Sequence, residues 1–175
     1  NRLFLAAGFR KTINSIYADP LTHKFEAAYK LNKYGTKIRG VYSTGFRAPT
    51  CNQLFFPGFG NANLRPEETH SWEVGLRQEL WDGRIVIDTT YFDVDYDDLI
   101  ATIDIGGGTF QPSQVAAASA KGFETSGSFQ LHETFRVSVT HTYTEAINSM
   151  TRVQLARRPE NIYTVNLHWS PWDCF

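Results

Sequence analysis

The chain has 175 residues, 42% of them hydrophobic and 14% aromatic, with a net charge of -1 that gives no basic excess to hold nucleic acid. Its longest stretches without a charge or a turn residue, such as Leu3 to Ala7, fall far short of the roughly 18 apolar residues that a membrane-spanning helix needs, so a helical membrane protein is excluded. Two cysteines, Cys51 and Cys174, are too few for a disulfide framework and lack the paired spacing of a zinc site.

Asn1-Arg2-Leu3-Phe4-Leu5 is already strand-like, without an initiating Met or a signal-peptide pattern, and the chain is expected to be a fragment of a longer one. From there, side chains alternate with period two and helix signatures are nearly absent. Leu3, Leu5, Ala7 and Phe9 share one face of a first strand. Phe25, Ala27, Tyr29 and Leu31 share one face of a second, opposite Glu26, Ala28 and Lys30. In a third, Ile38, Gly40, Tyr42 and Phe46 oppose Lys37, Arg39, Val41 and Ser43.

A fourth strand begins near Thr69, and Asp82-Gly83 is a two-residue type I′ turn signal joining it to a fifth. Pairing Trp81 with Arg84 sets Leu80 opposite Ile85, Leu76 opposite Thr89 and Val74 opposite Tyr91, while Arg77 meets Asp88 on the other face. A one-residue slip would invert every side chain, so this agreement predicts register and faces together. The sixth strand sets Phe123, Thr125, Gly127, Phe129 and Leu131 against Glu124, Ser126, Ser128 and Gln130. The seventh sets Phe135, Val137, Val139 and Tyr143 against Arg136, Ser138, Thr140 and Thr142, with Gln130 opposite Arg136. The eighth sets Tyr163, Val165, Leu167 and Trp169 against Thr164, Asn166 and His168.

The connections alternate in length: long at 12–22, short at Tyr34-Gly35, long at 47–68, short at Asp82-Gly83, long at 103–114, short at 132–134 and long at 146–156. Outer-membrane barrels have this asymmetry, with short periplasmic turns and longer outer loops. Alternation alone also fits a soluble β-sandwich binding module. Strand length, alternating connections and charges deep within strands favour an all-β antiparallel transmembrane barrel of about eight strands, whose polar face lines a lumen through Lys30, Arg39, Glu73, Arg77, Asp88, Glu124 and Arg136. The short side chains on that face suit a wide lumen and therefore an arc of a larger barrel.

No catalytic constellation is present, and no enzyme activity is expected. His23, His70, His132, His141 and His168 are scattered without metal-ligand spacing. Asp93, Asp95, Asp97 and Asp98 read as a solvated strand end, because a calcium loop also brings a Gly turn and a distant bidentate Glu. Gly106-Gly107-Gly108 lacks the Lys-Ser/Thr of a phosphate loop and reads as a loop tip. No metal and no cofactor are expected. The 47–68 loop is the best binding candidate: Phe55, Phe56 and Phe59 offer apolar surface, and Arg47, Asn61, Asn63 and Arg65 offer donors. Its prolines and glycines equally allow a self-packed scaffold.

The words G-F-R-A-P-T from Gly45, N-A-N-L-R-P-E from Asn61 and S-W-E-V-G-L-R from Ser71 resemble the late barrel strands of TonB-dependent outer-membrane receptors, in particular the cobalamin and siderophore transporters. Arg157-Arg158-Pro159 resembles another word of that family. The resemblance implies a barrel of about 22 strands around a plug domain, of which this chain is roughly the eleventh to the eighteenth strand, the plug and the last strands being absent. It also implies an outer-membrane importer of a scarce bulky nutrient, cobalamin or a ferric siderophore, energised by TonB through the plug. The partners are then membrane lipid, the plug, the remaining strands, the TonB complex and the nutrient. A passive porin-like barrel is the alternative without plug or TonB. This topology places Cys51 outside and Cys174 on the periplasmic side.

Overall fold

A computed structural model of the chain describes residues 1–15, 19–149, 151–155 and 158–171, with backbone alone at 115 and 116. Eight strands form one sheet in the order of the chain, every neighbouring pair antiparallel. They are β1 (Arg2–Lys11), β2 (Leu21–Leu31), β3 (Thr36–Arg47), β4 (Glu67–Leu80), β5 (Ile85–Asp104), β6 (Phe110–His132), β7 (Phe135–Asn148) and β8 (Asn161–Trp169), with one short helix, α1 (Cys51–Phe55), between β3 and β4.

Alternation along each strand becomes continuity across the sheet, because the register keeps like rows together. Leu5, Ala27, Gly40, Val74, Tyr91, Phe123 and Tyr143 are successive register partners on one face. Arg2, Lys30, Lys37, Arg77, Asp88, Ser126, Thr140 and Thr164 form such a row on the other. One face is thus apolar across the sheet and the other polar.

The first hairpin expectation holds residue for residue: Leu80 pairs with Ile85, Leu76 with Thr89, Val74 with Tyr91, and Arg77 stands opposite Asp88. Asp82 and Gly83 both have positive φ, and the Arg84 N–H donates to the Trp81 carbonyl at 3.1 Å, which makes the turn type I′. The other short turns are also tight. Asn32–Tyr34 forms a single 3-10 turn, and Arg136 Nε donates to Gln130 Oε1 at 2.7 Å across the β6–β7 turn.

Two connections differ from expectation. The stretch 103–114 is mostly strand rather than loop: β5 runs 20 residues and β6 runs 23, leaving only 105–109 between them. A register shift between Tyr96 and Ile100, with Asp98 at φ 55, interrupts the hairpin ladder, and Thr102, Ile103 and Phe110 then continue it because β-branched and aromatic residues suit it. The 47–68 loop, expected without regular structure, contains α1. Thr50 caps it by accepting from the Gln53 N–H while the Gln53 side chain accepts from the Thr50 N–H, a capping box.

Very little is buried. Leu54, Leu64, Pro112, Ala118, Ala146 and the charged Glu67 are enclosed, all at the end of the sheet that carries the long connections. The apolar face is open along its length, with Leu5 73%, Phe9 69% and Leu167 68% exposed. No second layer lies over it among the described residues, as a sandwich would require. Each large side chain left in water on such a face would forfeit about 1.5–3 kcal/mol, so another apolar medium must cover it.

Candidate functional site

Ring contacts draw a line across the apolar face. Trp72 and Tyr91 lie 5.0 Å apart, as do Tyr91 and Phe123, and Phe9 meets Phe25 at 5.6 Å. Immediately beyond this line, toward the long connections, the same face turns polar: Lys121 pairs with Glu145 at 3.5 Å, and the Tyr42 hydroxyl reaches His70 at 3.5 Å. Trp81 and Trp169 mark the opposite, short-turn end. Such a girdled apolar band is the signature of a barrel wall in lipid.

On the polar face, Arg39 reaches from β3 to β5. Its guanidinium donates to both Asp88 oxygens, at 2.9 and 2.7 Å, and to the Thr90 hydroxyl. Arg77, the register neighbour of Asp88, instead pairs with Glu79 on its own strand at 3.0 Å. Arg77 and Asp88 are thus opposite in register on the polar face, as expected, and the ion pair at Asp88 is made by Arg39. The reason is Gly75, over which the guanidinium lies; a Cβ there would come within 2.6 Å of Arg39 Cζ. Lys30, Glu73, Glu124 and Arg136 occupy positions on this same face.

Beyond the aromatic line, the 47–67 segment is bound against the outward extension of the β5–β6 hairpin. Arg47 makes a two-pronged pair with Glu67, with both N–O distances 2.5 Å, and Glu67 also accepts the Ile100 N–H at 2.8 Å. Burial pushes the Glu67 carboxyl up, but the Arg47 guanidinium and the Ile100 N–H outweigh it and hold the group below its ordinary 4.5. The hydrogen bond to Glu67 in turn raises Arg47 above its usual range. Arg65 pairs with Asp98 at 2.7 Å, Asn61 Nδ2 donates to the Pro112 carbonyl at 3.0 Å, and the Gln111 and Gln114 amides donate to the carbonyls of Gly60 and Arg65.

These contacts sort the residues singled out in the loop. Arg47, Arg65 and Asn61 hold it in place, and Asn61 Oδ1 also accepts the Asn63 N–H at 3.0 Å. Phe59 is half-buried, edge-on to Phe56 with centroids 6.4 Å apart. Phe55 and Phe56, at 57% and 56% exposure, present apolar surface to solvent, and Asn63 is also exposed. Glu67, Gln111 and Gln114 were not singled out from sequence. The one cue to Glu67 was its position directly after Pro66 at a strand start.

The acidic run separates. Asp93 faces Trp72, Asp95 faces His70 and Asp97 faces Glu68 in register, while Asp98 pairs with Arg65. Among the described residues no three His, Cys, Asp or Glu side chains gather as metal ligands. Cys51 is an exposed free thiol at the start of α1, whereas Cys174 and Arg157 lie outside the described residues.

An all-neighbour antiparallel sheet with an uncovered apolar face, an aromatic girdle and a charged reverse face defines a segment of a transmembrane β-barrel wall. More narrowly, the chain belongs to the TonB dependent receptor-like β-barrel family, whose model matches residues 1–175. It is 39% identical over 88 residues to the vitamin B12 transporter BtuB of Vibrio vulnificus, covering 50% of this chain and 14% of that protein. It is 30% identical over 154 residues to the vitamin B12 transporter BtuB of Photobacterium profundum, covering 85% of this chain and 24% of the relative. In structure it resembles the siderophore receptor PirA of Pseudomonas aeruginosa, with a TM-score of 0.81 and 23% identity over 98% of this chain and 32% of the receptor. The chain thus spans a quarter or less of the length of the curated relatives it matches. The family consists of outer-membrane transport receptors, and the outer membrane is where this chain resides.

Proposed function

We propose that this chain is one sector of the barrel wall of an importer that binds a scarce, bulky nutrient, cobalamin or a ferric siderophore, and takes it across the outer membrane with energy delivered by TonB. The observation that carries this reading is the pairing of an uncovered apolar face with a charged reverse face on a chain that the receptor-barrel family matches from end to end. Names of the relatives, vitamin B12 transporters and a siderophore receptor, supply the two nutrient classes.

In this reading the open edges of β1 and β8 are closed by further strands, since a lipid-embedded sheet tolerates no unpaired edge. The polar face, with Lys30, Arg39, Glu73, Arg77, Asp88, Glu124 and Arg136, lines the lumen and meets a plug domain supplied by the rest of the protein. Phe55, Phe56 and Asn63 face incoming ligand from a loop that Arg47, Asn61 and Glu67 hold rigid. The protein moves its ligand without altering it chemically.

The test is uptake. In a strain lacking its own receptors, the full-length protein should restore accumulation of labelled cyanocobalamin or of a ferric siderophore, and accumulation should stop when TonB is deleted. Uptake that continues without TonB would point instead to a passive pore.

A further inference from the structure

Four cations stand side by side on the polar face. Arg2 is opposite Lys30, Lys30 is opposite Lys37, and Lys37 is opposite Arg77, so one row of register partners carries a positive side chain on each of β1, β2, β3 and β4. Residues directly opposite one another lie about 5 Å apart, where like charges repel. Lys30 and Lys37 flank the β2–β3 turn, which sets the row toward the short-turn end of the sheet.

The acids nearest the row are already engaged: Glu79 pairs with Arg77, and Asp88 with Arg39. Between the row and the short turns the same face adds Arg84 and Arg136 but, among the described residues, no acid besides Glu79. The turns themselves add Lys33, Asp82 and Glu133, all exposed. Toward the long connections come Glu124, in the row of Arg39, then Glu26 and Glu73 one row farther, then Lys24 and Arg10, with Lys24 pairing to Glu26 at 2.6 Å. Among the described residues none of Arg2, Lys30, Lys37 and Arg84 has a carboxylate within ion-pair distance. A hollow of about 450 Å³ opens over the row, lined in part by Lys30, Lys37, Arg39 and Arg77.

We propose that this row docks an acidic segment of the plug at the short-turn end of the lumen, its carboxylates forming charge-assisted bonds with Lys30 and Lys37. The proposal rests on the importer reading and names the chemistry of one contact within it. This chain amounts to 14% and 24% of the two B12 transporters that it matches, which leaves ample protein to supply the segment. A dissolved anion would meet the row at one point, whereas the row extends about 14 Å across four strands, the span of a short peptide bearing several carboxylates.

The experiment treats the full-length receptor, purified in detergent, with a water-soluble carbodiimide, which joins a lysine amine to a touching carboxylate through an amide bond. Lys24 should couple to Glu26, 2.6 Å away, and so report that the reagent reaches the lumen. Peptide mass spectrometry should find Lys30 or Lys37 joined to an Asp or Glu of the plug. In Lys30→Glu with Lys37→Glu, hydrogen exchange in that plug segment should rise by about tenfold while the barrel keeps its heat-modifiable gel band. Lysines 30 and 37 that couple only to barrel acids, or stay uncoupled while Lys24 reacts, overturn the proposal, as does plug exchange that the reversed variant leaves unchanged. TonB-dependent uptake by the unaltered receptor separates the two readings: the importer reading survives those outcomes, and uptake independent of TonB would remove both.

Discussion

Arg39 holds Asp88 from two strands away. Its guanidinium crosses β4 above Gly75 and meets the carboxylate with two bonds of 2.9 and 2.7 Å, although Arg77 is the register neighbour of that carboxylate. Next-nearest strands are about 9.5 Å apart, within reach of a long side chain only if nothing stands between. The missing Cβ at Gly75 opens that path.

Replacing Gly75 by valine should therefore act through Arg39. The new side chain displaces the flexible guanidinium and leaves Asp88 without it, for a loss of about 1.5–3 kcal/mol, the range for a charge-assisted bond. In a double-mutant cycle, Arg39→Met added to Gly75→Val should cost little more, because both remove the same contact. The shift in the urea midpoint of the heat-modifiable gel band of the full-length barrel measures this. Full additivity of the two substitutions would show that Gly75 serves something other than Arg39.

The Glu67 latch predicts a pH dependence confined to the outer loop. Its folded carboxyl lies below the ordinary 4.5, so its contribution is complete above that pH and is lost as pH falls through the lower folded value. A spin label on Cys51, in a Cys174→Ser background, should report an ordered loop from pH 8 down to about 5 and a mobile one on further acidification. Glu67→Gln should make the loop mobile at every pH, and a loop that stays ordered in that variant would remove the latch.

Phe55 and Phe56 are open to solvent, and their loss should leave assembly intact. Phe55→Ser with Phe56→Ser should weaken nutrient binding by about tenfold or more while the barrel still reaches the membrane in normal amount. Asn61→Ala should weaken binding by a different route, since it frees the loop from the Pro112 carbonyl. Hydrogen exchange in the 47–67 segment should rise for Asn61→Ala and stay unchanged for the phenylalanine pair.

Sidedness is checked with the same cysteine. Cys51 is exposed on α1, at the end of the sheet carrying the long connections. A membrane-impermeant maleimide should label it on intact cells in the Cys174→Ser background. Labelling that requires broken cells would reverse the orientation of every strand.

Strand faces, and the registers of the β4–β5 and β6–β7 hairpins, needed only the sequence. Period-two alternation is a local property, and Asp82-Gly83 accepts positive φ at both central turn residues, so Trp81 and Arg84 anchor the β4–β5 ladder before any distant contact is known. The family words from Gly45 to Arg77 are likewise legible as text. Tertiary structure alone decided three matters. Asp88 took Arg39 rather than Arg77, because a partner two strands away is chosen by side-chain reach and by the gap at Gly75. The 103–114 stretch became ladder because β5 and β6 each supplied an edge for the other. The 47–67 loop became a docked platform because Glu67, Asn61, Gln111 and Gln114 found carbonyls, N–H groups and a guanidinium 20 to 51 residues away in sequence. Alternation decides which way a side chain points, and only the assembled sheet decides what it meets there.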